Sequence, residues 1–313
     1  MILVLGSTGF LGKRVCKKLK FKKSKFSTSS LKQGCDLRVL DQVYDLFREV
    51  KPEYVINCSA HVGGIDFGYS YPAELFVNNT QMIVNILEAC NKFNVKRLIN
   101  PISNCAYPAE ASLFKEEEFW DGPMHESVQV YGSVRKLSCI GAWAFFTQYK
   151  LDVLSLILSN MYGPQDHFEE KRSHALGALI MKMIEAKAND SPEIIVWGSG
   201  LPVREWLHVD DGAESLIRGL SIPQRIEPLN IGIGKGISIS ELAQLIKKEV
   251  GYKGKLVFDQ SKPDGAKYKT VDGSKAAEIF GWSPEISLNK GIKETIDWYF
   301  ESRKGGSNVS RSN

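Results

Sequence analysis

A glycine-rich segment follows the first apolar run of the chain and precedes a helical pattern, and this arrangement limits the possible folds more than any other feature. The run is Ile2–Leu5, and the segment reads Gly6-Ser7-Thr8-Gly9-Phe10-Leu11-Gly12. The first glycine permits a tight turn, the second lets the backbone approach a pyrophosphate, and the third allows close packing of helix on strand. Because the amides of a helix start also favour anions, residues 6–12 are predicted to bind a dinucleotide. A purely structural turn is the alternative.

Short apolar strands alternate with helical patterns through the first half of the chain. Strands are predicted at 54–59, 97–101 and 153–158, and helices at 79–93 and 133–148. Such alternation is typical of a doubly wound parallel sheet, whose right-handed crossovers bring the carboxyl ends of the strands to one ligand-binding edge. The predicted fold class is therefore α/β, with a Rossmann-type sheet.

The pattern loosens after Tyr162, and we interpret the second half as a smaller C-terminal α/β substrate domain. Helices are predicted at 175–188, 211–220, 240–250 and 288–300, and strands at 194–197, 229–231 and 255–258. The predicted organisation is a Rossmann domain at 1–162 to which 206–231 returns, a substrate domain made of 163–205 and 232–303, and a disordered tail at 304–313.

Charge is distributed unevenly along the chain. The sequence has 40 Lys and Arg against 36 Asp and Glu, yet no acidic residue precedes Asp36. The excess of cations is therefore local, which argues against a general nucleic-acid-binding surface. The region after the predicted second strand, residues 26–32, offers hydroxyls and Lys32 but no carboxylate for a ribose 2′-hydroxyl, which favours NADP(H) over NAD(H). We expect Lys32, and one of Lys13 or Arg14, to approach the phosphates, and the other early cations to face solvent.

Cysteine usage and hydropathy bear on the compartment. The six cysteines include no C-x-x-C pair, so we expect reduced thiols, no zinc site and a cytoplasmic location. The longest apolar stretches, such as 151–158, are too short to span a bilayer, and the start does not resemble a signal peptide. We therefore expect no membrane partner and no metal.

A second motif, Tyr131-Gly-Ser-Val-Arg135, opens the predicted helix at 133–148, and Ser103 follows the predicted strand at 97–101. A tyrosine can protonate a carbonyl oxygen when a nearby cation stabilises its phenolate and a hydroxyl polarises that oxygen. Together with the glycine-rich segment, this arrangement resembles the extended short-chain dehydrogenase/reductase family.

Further motifs resemble, within that family, the GDP-L-fucose synthases, which are 3,5-epimerase/4-reductases of GDP-4-keto-6-deoxymannose. They span nearly the whole chain in the family's order: Val62-Gly-Gly-Ile65, Ser103-Asn-Cys-Ala-Tyr-Pro108, Asn160-Met-Tyr-Gly-Pro164, Ser173-His174, Val196-Trp-Gly-Ser-Gly200, Arg204-Glu-Trp-Leu-His-Val-Asp-Asp211, Gly251-Tyr-Lys-Gly-Lys255 and Lys262-Pro-Asp-Gly265. The resemblance implies NADPH-dependent reduction of the C4 carbonyl of a GDP-4-keto sugar, with epimerisation at C3 and C5.

The resemblance also implies roles for individual residues. Ser103 and Tyr131 would act on the C4 carbonyl, and Cys105 and His174 would be the base and acid of epimerisation. The glycines of residues 6–12 would hold the dinucleotide, and the family's remaining cofactor positions fall on Lys32, Arg135 and Asn160. Positions near the substrate fall on Lys182, Trp197, Arg204, Asp264 and Lys269.

One departure from the family pattern leaves alternatives open. Arg135 stands where the family has lysine, and Lys136 is next to it. Arginine is bulkier, planar and always protonated. Either Arg135 substitutes at a modest cost in rate, or Lys136 reaches in instead, or activity is impaired. The last case would leave a non-catalytic binding protein.

Several other residues also allow two interpretations. Cys105 could be a buried structural thiol, His174 a surface or capping residue, and Trp197 and Trp206 core aromatics. The histidines predicted to be structural are His61 and His208.

The sequence also supports a second functional hypothesis and predicts an oligomeric interface. A pure C4 reductase of a related sugar, such as a GDP-4-keto-heptose, is the second hypothesis, favoured by the aromatic-rich loop Asp66-Phe-Gly-Tyr-Ser-Tyr71. The helix at 137–146 is apolar all round and needs cover on both sides. With the helix at 79–93 it predicts a four-helix interface of a homodimer, as the family uses, and the alternative is cover by the C-terminal domain.

Overall fold

The strands and helices of the first half alternate, as the sequence predicts. In the computed structural model, which describes residues 1–168, 173–224, 227–262 and 264–306, the elements of this half are β1 (Ile2–Leu5), α1 (Phe10–Phe21), β2 (Phe26–Ser29), α2 (Leu40–Val50), β3 (Tyr54–Asn57), α3 (Ile65–Ser70), α4 (Pro72–Lys92), β4 (Arg97–Ser103), α5 (Gln129–Tyr149) and β5 (Val153–Leu158).

The second half has shorter strands. Its elements are β6 (Asn160–Tyr162), α6 (Ala175–Ala188), β7 (Glu193–Trp197), β8 (Val203–Arg204), β9 (Trp206–His208), α7 (Val209–Arg218), β10 (Leu229–Ile231), β11 (Ile237–Ser238), α8 (Ile239–Val250), β12 (Lys255–Asp259), β13 (Tyr268–Lys269), α9 (Ser274–Phe280) and α10 (Leu288–Gly306). Helix α10 runs past the predicted end of the ordered chain at 303, and positions 307–313 of the predicted tail lie outside the described residues.

Six parallel strands form the main sheet in the order β2-β1-β3-β4-β5-β10. The chain leaves β1 in one direction toward β2 and continues on the other side with β3. The strand order therefore reverses between β1 and β3, the place where open α/β sheets bind ligands at the carboxyl ends of their strands. The predicted α/β fold class with a doubly wound parallel sheet is confirmed.

Helices cover both faces of this sheet. Within β1, Val4 packs on the α1 and α7 side, whereas Leu3 and Leu5 pack on the side of α2, α4 and α5. Alternate side chains of a strand point to opposite faces. Because both faces are buried, β1 reads as a continuous apolar run rather than an alternating one, whereas the edge strand β2 reads Phe-Ser-Thr-Ser.

The smaller region is built from short strand pairs and three helices. Its strands form a three-stranded sheet, β11-β8-β13, and two parallel pairs, β7-β12 and β6-β9. Side chains of α6, α8 and α10, including Ile180, Leu242 and Ile292, form a separate core. Between these elements the chain returns to the main sheet, where α7 packs on α1 and β10 pairs with β5. The exact domain boundaries stay a prediction.

The basic face of α1 is not simply solvated, contrary to expectation. Arg14 is 9% exposed, and its Nε donates to Asp210 Oδ1 over 2.6 Å. Lys18 and Lys22 bridge to Glu214 at 3.4 and 2.9 Å. The expectation that Arg14 could approach the cofactor is therefore wrong, because α7 packs on α1 and presents acidic side chains to these cations.

Candidate active site

The glycine-rich turn at the end of β1 leaves no room for side chains. Gly6 has a φ of +68°, and a Cβ added there would lie 2.7 Å from the backbone of Cys58. A Cβ at Gly12 would lie 2.2 Å from the Gly6 oxygen. Helix α1 starts after Gly9 with no side-chain cap and no acidic residue in its first turn. Its first amides are therefore free to bind an anion, and the turn fits a pyrophosphate.

The turn is tied to the end of β2, where a 2′-phosphate would lie. Ser7 Oγ is 3.2 Å from the Ser29 carbonyl oxygen and 2.8 Å from Gln33 Oε1. Lys32 is exposed on the single 3₁₀ turn Leu31–Gln33. Since residues 26–34 include no carboxylate, this edge suits an additional phosphate better than a bare ribose. Within the turn the side chain of Leu11 is buried in the core, so only its backbone can reach a cofactor.

Tyr131 and Arg135 lie one turn apart near the start of α5. Arg135 Nη2 donates to the Tyr131 hydroxyl oxygen over 3.1 Å, and the guanidinium carbon is 4.7 Å from the Tyr131 ring centroid. Arg135 is 6% exposed, whereas Tyr131 is half-buried. A buried cation therefore faces the phenol oxygen directly.

Asn79, on the neighbouring helix α4, holds the Arg135 guanidinium in place. This residue was not predicted from the sequence. Its Oδ1 accepts from Arg135 Nη2 at 3.2 Å and from the His61 amide at 3.0 Å. Its Nδ2 donates to the His61 carbonyl oxygen at 2.8 Å. The signal was available, because Asn79 is a polar position on the apolar face of α4 that also carries Leu75 and Ile83.

Lys136 points away from Tyr131. Its Nζ is 5.4 Å from the ring centroids of both Phe119 and Trp120, and burial lowers the pKa of its ammonium group. The hypothesis that Lys136 replaces the family lysine is therefore wrong. Because consecutive helical residues differ by about 100° in direction, the position after Arg135 faces a different neighbour.

Cys105 lies in the single 3₁₀ turn Asn104–Ala106 that follows β4. Ser103 caps this turn, since its Oγ accepts from the Cys105 amide at 3.2 Å. Helix α5 contacts the turn through Gly132, where an added Cβ would lie 2.5 Å from the Cys105 carbonyl oxygen. Gly132 was not singled out from the sequence, yet it lets the segments that carry Tyr131 and Cys105 approach each other.

A second cation lies beside Cys105. Lys269 Nζ, from β13, is 3.6 Å from Cys105 Sγ. Cys105 is only half-buried, unlike Cys90 and Cys139, so it differs from a structural core thiol. Burial lowers the pKa of Arg204 to about 10, and Cys105 and Asp264 are the charges that oppose this shift.

His174 precedes α6 at the N-cap position but makes no side-chain cap hydrogen bond. The surrounding protein lowers the pKa of its imidazole, and the positive charges of His167 and Lys269 add to the shift. The capping interpretation is therefore wrong, whereas the exposed side chain agrees with a surface residue. The imidazole nevertheless lies within electrostatic reach of Lys269, the group that contacts Cys105.

Trp197 and Trp206 have different environments. Trp206 is 7% exposed and belongs to the core of the smaller region, whereas Trp197 is 57% exposed. The ammonium groups of Lys182 and Lys262 lie 5.7 and 5.3 Å from the Trp197 ring centroid. An open indole between two cations can stack on a base and attract a phosphate. Lys262 was predicted only as part of a motif and not as an individual site residue.

The carboxylate of Asp264 already accepts hydrogen bonds from other protein groups. Its carboxylate accepts from the amide and the hydroxyl of Ser199, each at 2.7 Å, and its carbonyl oxygen accepts from Arg204 Nη2 at 3.2 Å. The structure therefore brings Asp264 next to Arg204 without leaving its carboxylate free. Pro263, in the same motif, lies outside the described residues.

Most of the predicted aromatic-rich loop forms α3. This helix packs near Ser127, shortly before Tyr131 in the chain. The Phe67 ring centroid lies 5.5 Å from that of His61 and 5.0 Å from that of Tyr71. At Gly68 an added Cβ would lie 3.4 Å from the Ser127 carbonyl oxygen. The Asp66 side chain lies outside the described residues.

Two histidines predicted to be structural have structural contacts. His61 lies in the Asn79 network, and its Nε2 is 4.0 Å from Glu74 Oε2. His208 caps α7, and burial lowers its pKa to about 4.

Within 1–168, 173–224, 227–262 and 264–306, no group of three or more His, Cys, Asp or Glu residues could hold a metal ion. None of the helices in those ranges is long and apolar enough to span a bilayer.

Comparison with known proteins gives one family and consistent relatives. A model of the NAD dependent epimerase/dehydratase family matches residues 2–232. The protein named Putative GDP-L-fucose synthase 2 of Arabidopsis thaliana is 37% identical over 304 residues, which cover 96% of this chain and 92% of that relative.

Solved structures agree with this assignment. A GDP-6-OMe-4-keto-L-xylo-heptose reductase from C. jejuni is similar with a TM-score of 0.90 and 26% identity, covering 96% of this chain and 97% of the other. A GDP-L-fucose synthetase from Naegleria fowleri bound to NADP has a TM-score of 0.88 and 29% identity, with 97% and 94% covered.

Proposed function

The chain belongs to the NAD dependent epimerase/dehydratase family, and on that premise we propose that it is an NADPH-dependent oxidoreductase of a GDP-4-keto sugar. It reduces the C4 carbonyl and epimerises C3 and C5. The observation that carries the proposal is the presence of two reactive side chains, Tyr131 and Cys105, each beside its own cation. The relative named as a GDP-L-fucose synthase supports this reading.

NADPH supplies the hydride for C4 when it is bound. The glycine-rich turn would hold its pyrophosphate at the first amides of α1, which have no side-chain cap. Lys32 would face the 2′-phosphate, and Arg135 would lie close to the reacting end. Asn160 is less free than the family resemblance implies, since its Nδ2 already donates to the Glu205 carbonyl oxygen at 2.9 Å.

Tyr131 would act as the proton donor in reduction. Its hydroxyl gives a proton to the oxygen developing negative charge at C4, and the Arg135 guanidinium, 3.1 Å away, stabilises the phenolate that remains. Ser103 would donate its hydroxyl hydrogen to the same oxygen. Arginine keeps the positive charge that the family lysine provides, although its planar group approaches the phenol differently.

Cys105 and His174 would act in epimerisation. The Cys105 thiolate removes the proton on a carbon next to the ketone, the electron pair moves onto the C4 oxygen, and that oxygen is held by Tyr131 and Ser103. His174 returns a proton to the opposite face of the same carbon. The surrounding protein lowers the pKa of His174, so its protonated form is less favoured than that of a free imidazole.

The nucleotide would bind along the open edge of the smaller region. The Trp197 ring is exposed for stacking on the guanine, and Lys182 and Lys262 flank it. Arg204 offers a guanidinium, the group best suited to a diphosphate, and its contact with Asp264 holds it at the site.

A pure C4 reductase is the second candidate. The observation in its favour is the similarity, with a TM-score of 0.90, to a protein named as a GDP-4-keto-heptose reductase. In that case Cys105 and His174 would contribute no proton transfer.

Isotope exchange separates the two candidates. The protein is incubated with GDP-4-keto-6-deoxymannose in deuterated water without reductant, and NADPH is then added. We expect deuterium at C3 and C5, followed by loss of NADPH absorbance. Reduction without exchange would establish the pure reductase, and the absence of both would refute the proposed function.

We also infer a homodimer, joined through α4 and α5, that works in the cytoplasm. Apolar side chains of these helices are exposed, namely Val77, Val84, Leu137, Ile140 and Trp143. They are not covered by any described part of the C-terminal region, contrary to the alternative reading. All six cysteines are free thiols, which fits a reducing compartment.

The dimer is tested at Trp143, an exposed residue of that face. Trp143→Glu places a charge in the apolar surface and should give a monomer in sedimentation equilibrium, with Lys20→Glu as a control on an exposed face of α1. A Trp143→Glu protein that sediments as a dimer contradicts this interface.

A further inference from the structure

Glu205 is a buried carboxylate between β8 and β9 for which the mechanism above has no use. It is 0% exposed. Its Oε1 accepts from the Ile233 amide at 2.7 Å and its Oε2 from the Val271 amide at 2.8 Å. Burial raises the pKa of Glu205 to about 7, and the backbone N–H bonds oppose that shift. The side chain therefore joins the loop after β10 to the end of β13.

The backbone of Glu205 extends these connections. Its amide donates to the Lys269 carbonyl oxygen at 2.9 Å, and its carbonyl oxygen accepts from Asn160 Nδ2 at 2.9 Å. An added Cβ at Gly232 would lie 2.5 Å from Glu205 Oε1, so the loop is packed tightly against the carboxylate. One residue thus links β6, β10 and β13.

Lys269 lies in the segment that these links hold. It belongs to β13, a strand of two residues that pairs with β8, and the Phe114 amide also donates to the Thr270 carbonyl oxygen at 2.8 Å. Glu205 binds this segment on both sides of Thr270, through the Lys269 carbonyl and the Val271 amide. The Lys269 ammonium group is at the end of that support, 3.6 Å from the Cys105 sulfur.

We propose that Glu205 is a positioning residue that holds β13 so that the Lys269 ammonium stays beside the Cys105 sulfur. Glutamine has one acceptor oxygen and would place an amide N–H₂ against one of the two backbone amides, so Glu205→Gln disrupts this clamp without changing side-chain size. The proposal deepens the proposed function, on which it rests for the role of Cys105. Tyr131 and Arg135 lie outside this clamp.

Thiol alkylation tests the proposal without sugar or cofactor. The rate of Cys105 alkylation by iodoacetamide at pH 7 is followed by peptide mass spectrometry in the full-length protein. A cation beside a thiol favours the reactive thiolate, so Lys269→Met should slow alkylation roughly three- to tenfold. Glu205→Gln should slow it to a similar extent, and the double variant should be no slower than Lys269→Met alone.

Asp211→Asn is the matched control. Asp211 is also buried, at 5% exposure, and its carboxylate accepts the Ile286 amide at 2.9 Å, but it does not contact β13. Its variant should alkylate like the wild type. Slowing by Asp211→Asn to the same degree would mean that any buried carboxylate matters, and would overturn the specific role.

Other variants and outcomes also test the role of Glu205. A folded Glu205→Gln protein with the wild-type alkylation rate overturns the proposal, and so does a Lys269→Met protein with that rate. Should Glu205→Gln not fold, Glu205→Asp keeps the charge but is too short for both amides. It should give intermediate slowing, and the wild-type rate would overturn the proposal. Since no sugar is used, failure here is distinct from failure of the deuterium exchange that tests the proposed function.

Discussion

The two reactive pairs of the site are built in opposite ways. Tyr131 and Arg135 are four residues apart on one helix, so helical geometry places their side chains on the same face. Cys105 and Lys269 are 164 residues apart, and the contact exists only because β13 docks against the turn after β4. The first pair lies in the region of the main sheet, whereas the second joins that region to the smaller one.

This difference implies that the two proposed activities are separable. The tyrosine pair depends on α5 and on its neighbour α4, which lie in the large sheet core. The cysteine pair depends on the docking of the smaller region. We expect substitutions in the smaller region to lower the rate of proton exchange at C3 and C5 more than the rate of reduction at C4.

The largest effect is expected from removing the proton donor of the local pair. Tyr131→Phe should lower NADPH-dependent reduction by roughly two to four orders of magnitude, because proton transfer to the alkoxide is lost. Binding of NADPH, followed by fluorescence titration, should be retained because the glycine-rich turn is unchanged. Unchanged turnover would refute Tyr131 as the acid.

The next effect concerns the cation of that pair. Arg135→Met should slow reduction by roughly 10- to 1000-fold, since an opposite charge no longer stabilises the phenolate. Arg135→Lys, which keeps the charge, should recover most of the rate.

Lys136→Met is the matched control for this cation, because its ammonium group lies over Phe119 and Trp120. We expect steady-state rates near those of the wild type. Equal losses from the two positions would mean that helix stability, and not the contact with Tyr131, explains the effect.

The long-range pair is broken by Cys105→Ser. Deuterium incorporation at C3 and C5 should fall to background, while loss of NADPH absorbance continues, because Tyr131 is untouched. Cys139→Ala is the control, since burial raises the pKa of Cys139 to about 12 and keeps it a neutral thiol. Loss of both activities in Cys105→Ser would show that the two pairs are not separable.

The smallest expected effect is a pH dependence confined to proton exchange. The lowered pKa of His174 means that less than half of the imidazole is protonated at pH 6.5, its usual pKa. If His174 donates as imidazolium, the exchange rate of the wild type divided by that of His174→Gln should rise as pH falls below 6.5. The ratio cancels any pH dependence that the two proteins share. A ratio that does not change with pH would argue against His174 as the acid, and the reduction rate should lack this dependence.

Arg135 shows where sequence reasoning had to leave a question open. The residues of the Tyr-x-x-x-Arg motif left three interpretations open. The structure places Arg135 on Tyr131 and Lys136 on aromatic side chains. The direction of each side chain follows from the packing of α5 on α4 and on the turn after β4, and neighbouring sequence does not encode that packing.

Features that depend on residues close in the chain could be predicted from the sequence. Apolar runs, helical spacing and the glycine-rich turn predicted the α/β fold, the strand β5 at its observed bounds, and the glycines that Cβ atoms would block. These features could be predicted because strand and helix periodicity, and the space around a tight turn, are set by residues close in the chain.

Contacts between groups far apart in the chain became evident from the folded structure. It paired Arg14 with Asp210, buried Trp206 while exposing Trp197, and placed Lys269 on Cys105. It also assigned Glu205 to two amides from separate loops. The reason is physical: burial and contact between residues far apart in the chain depend on how whole elements dock, and no local pattern records that docking.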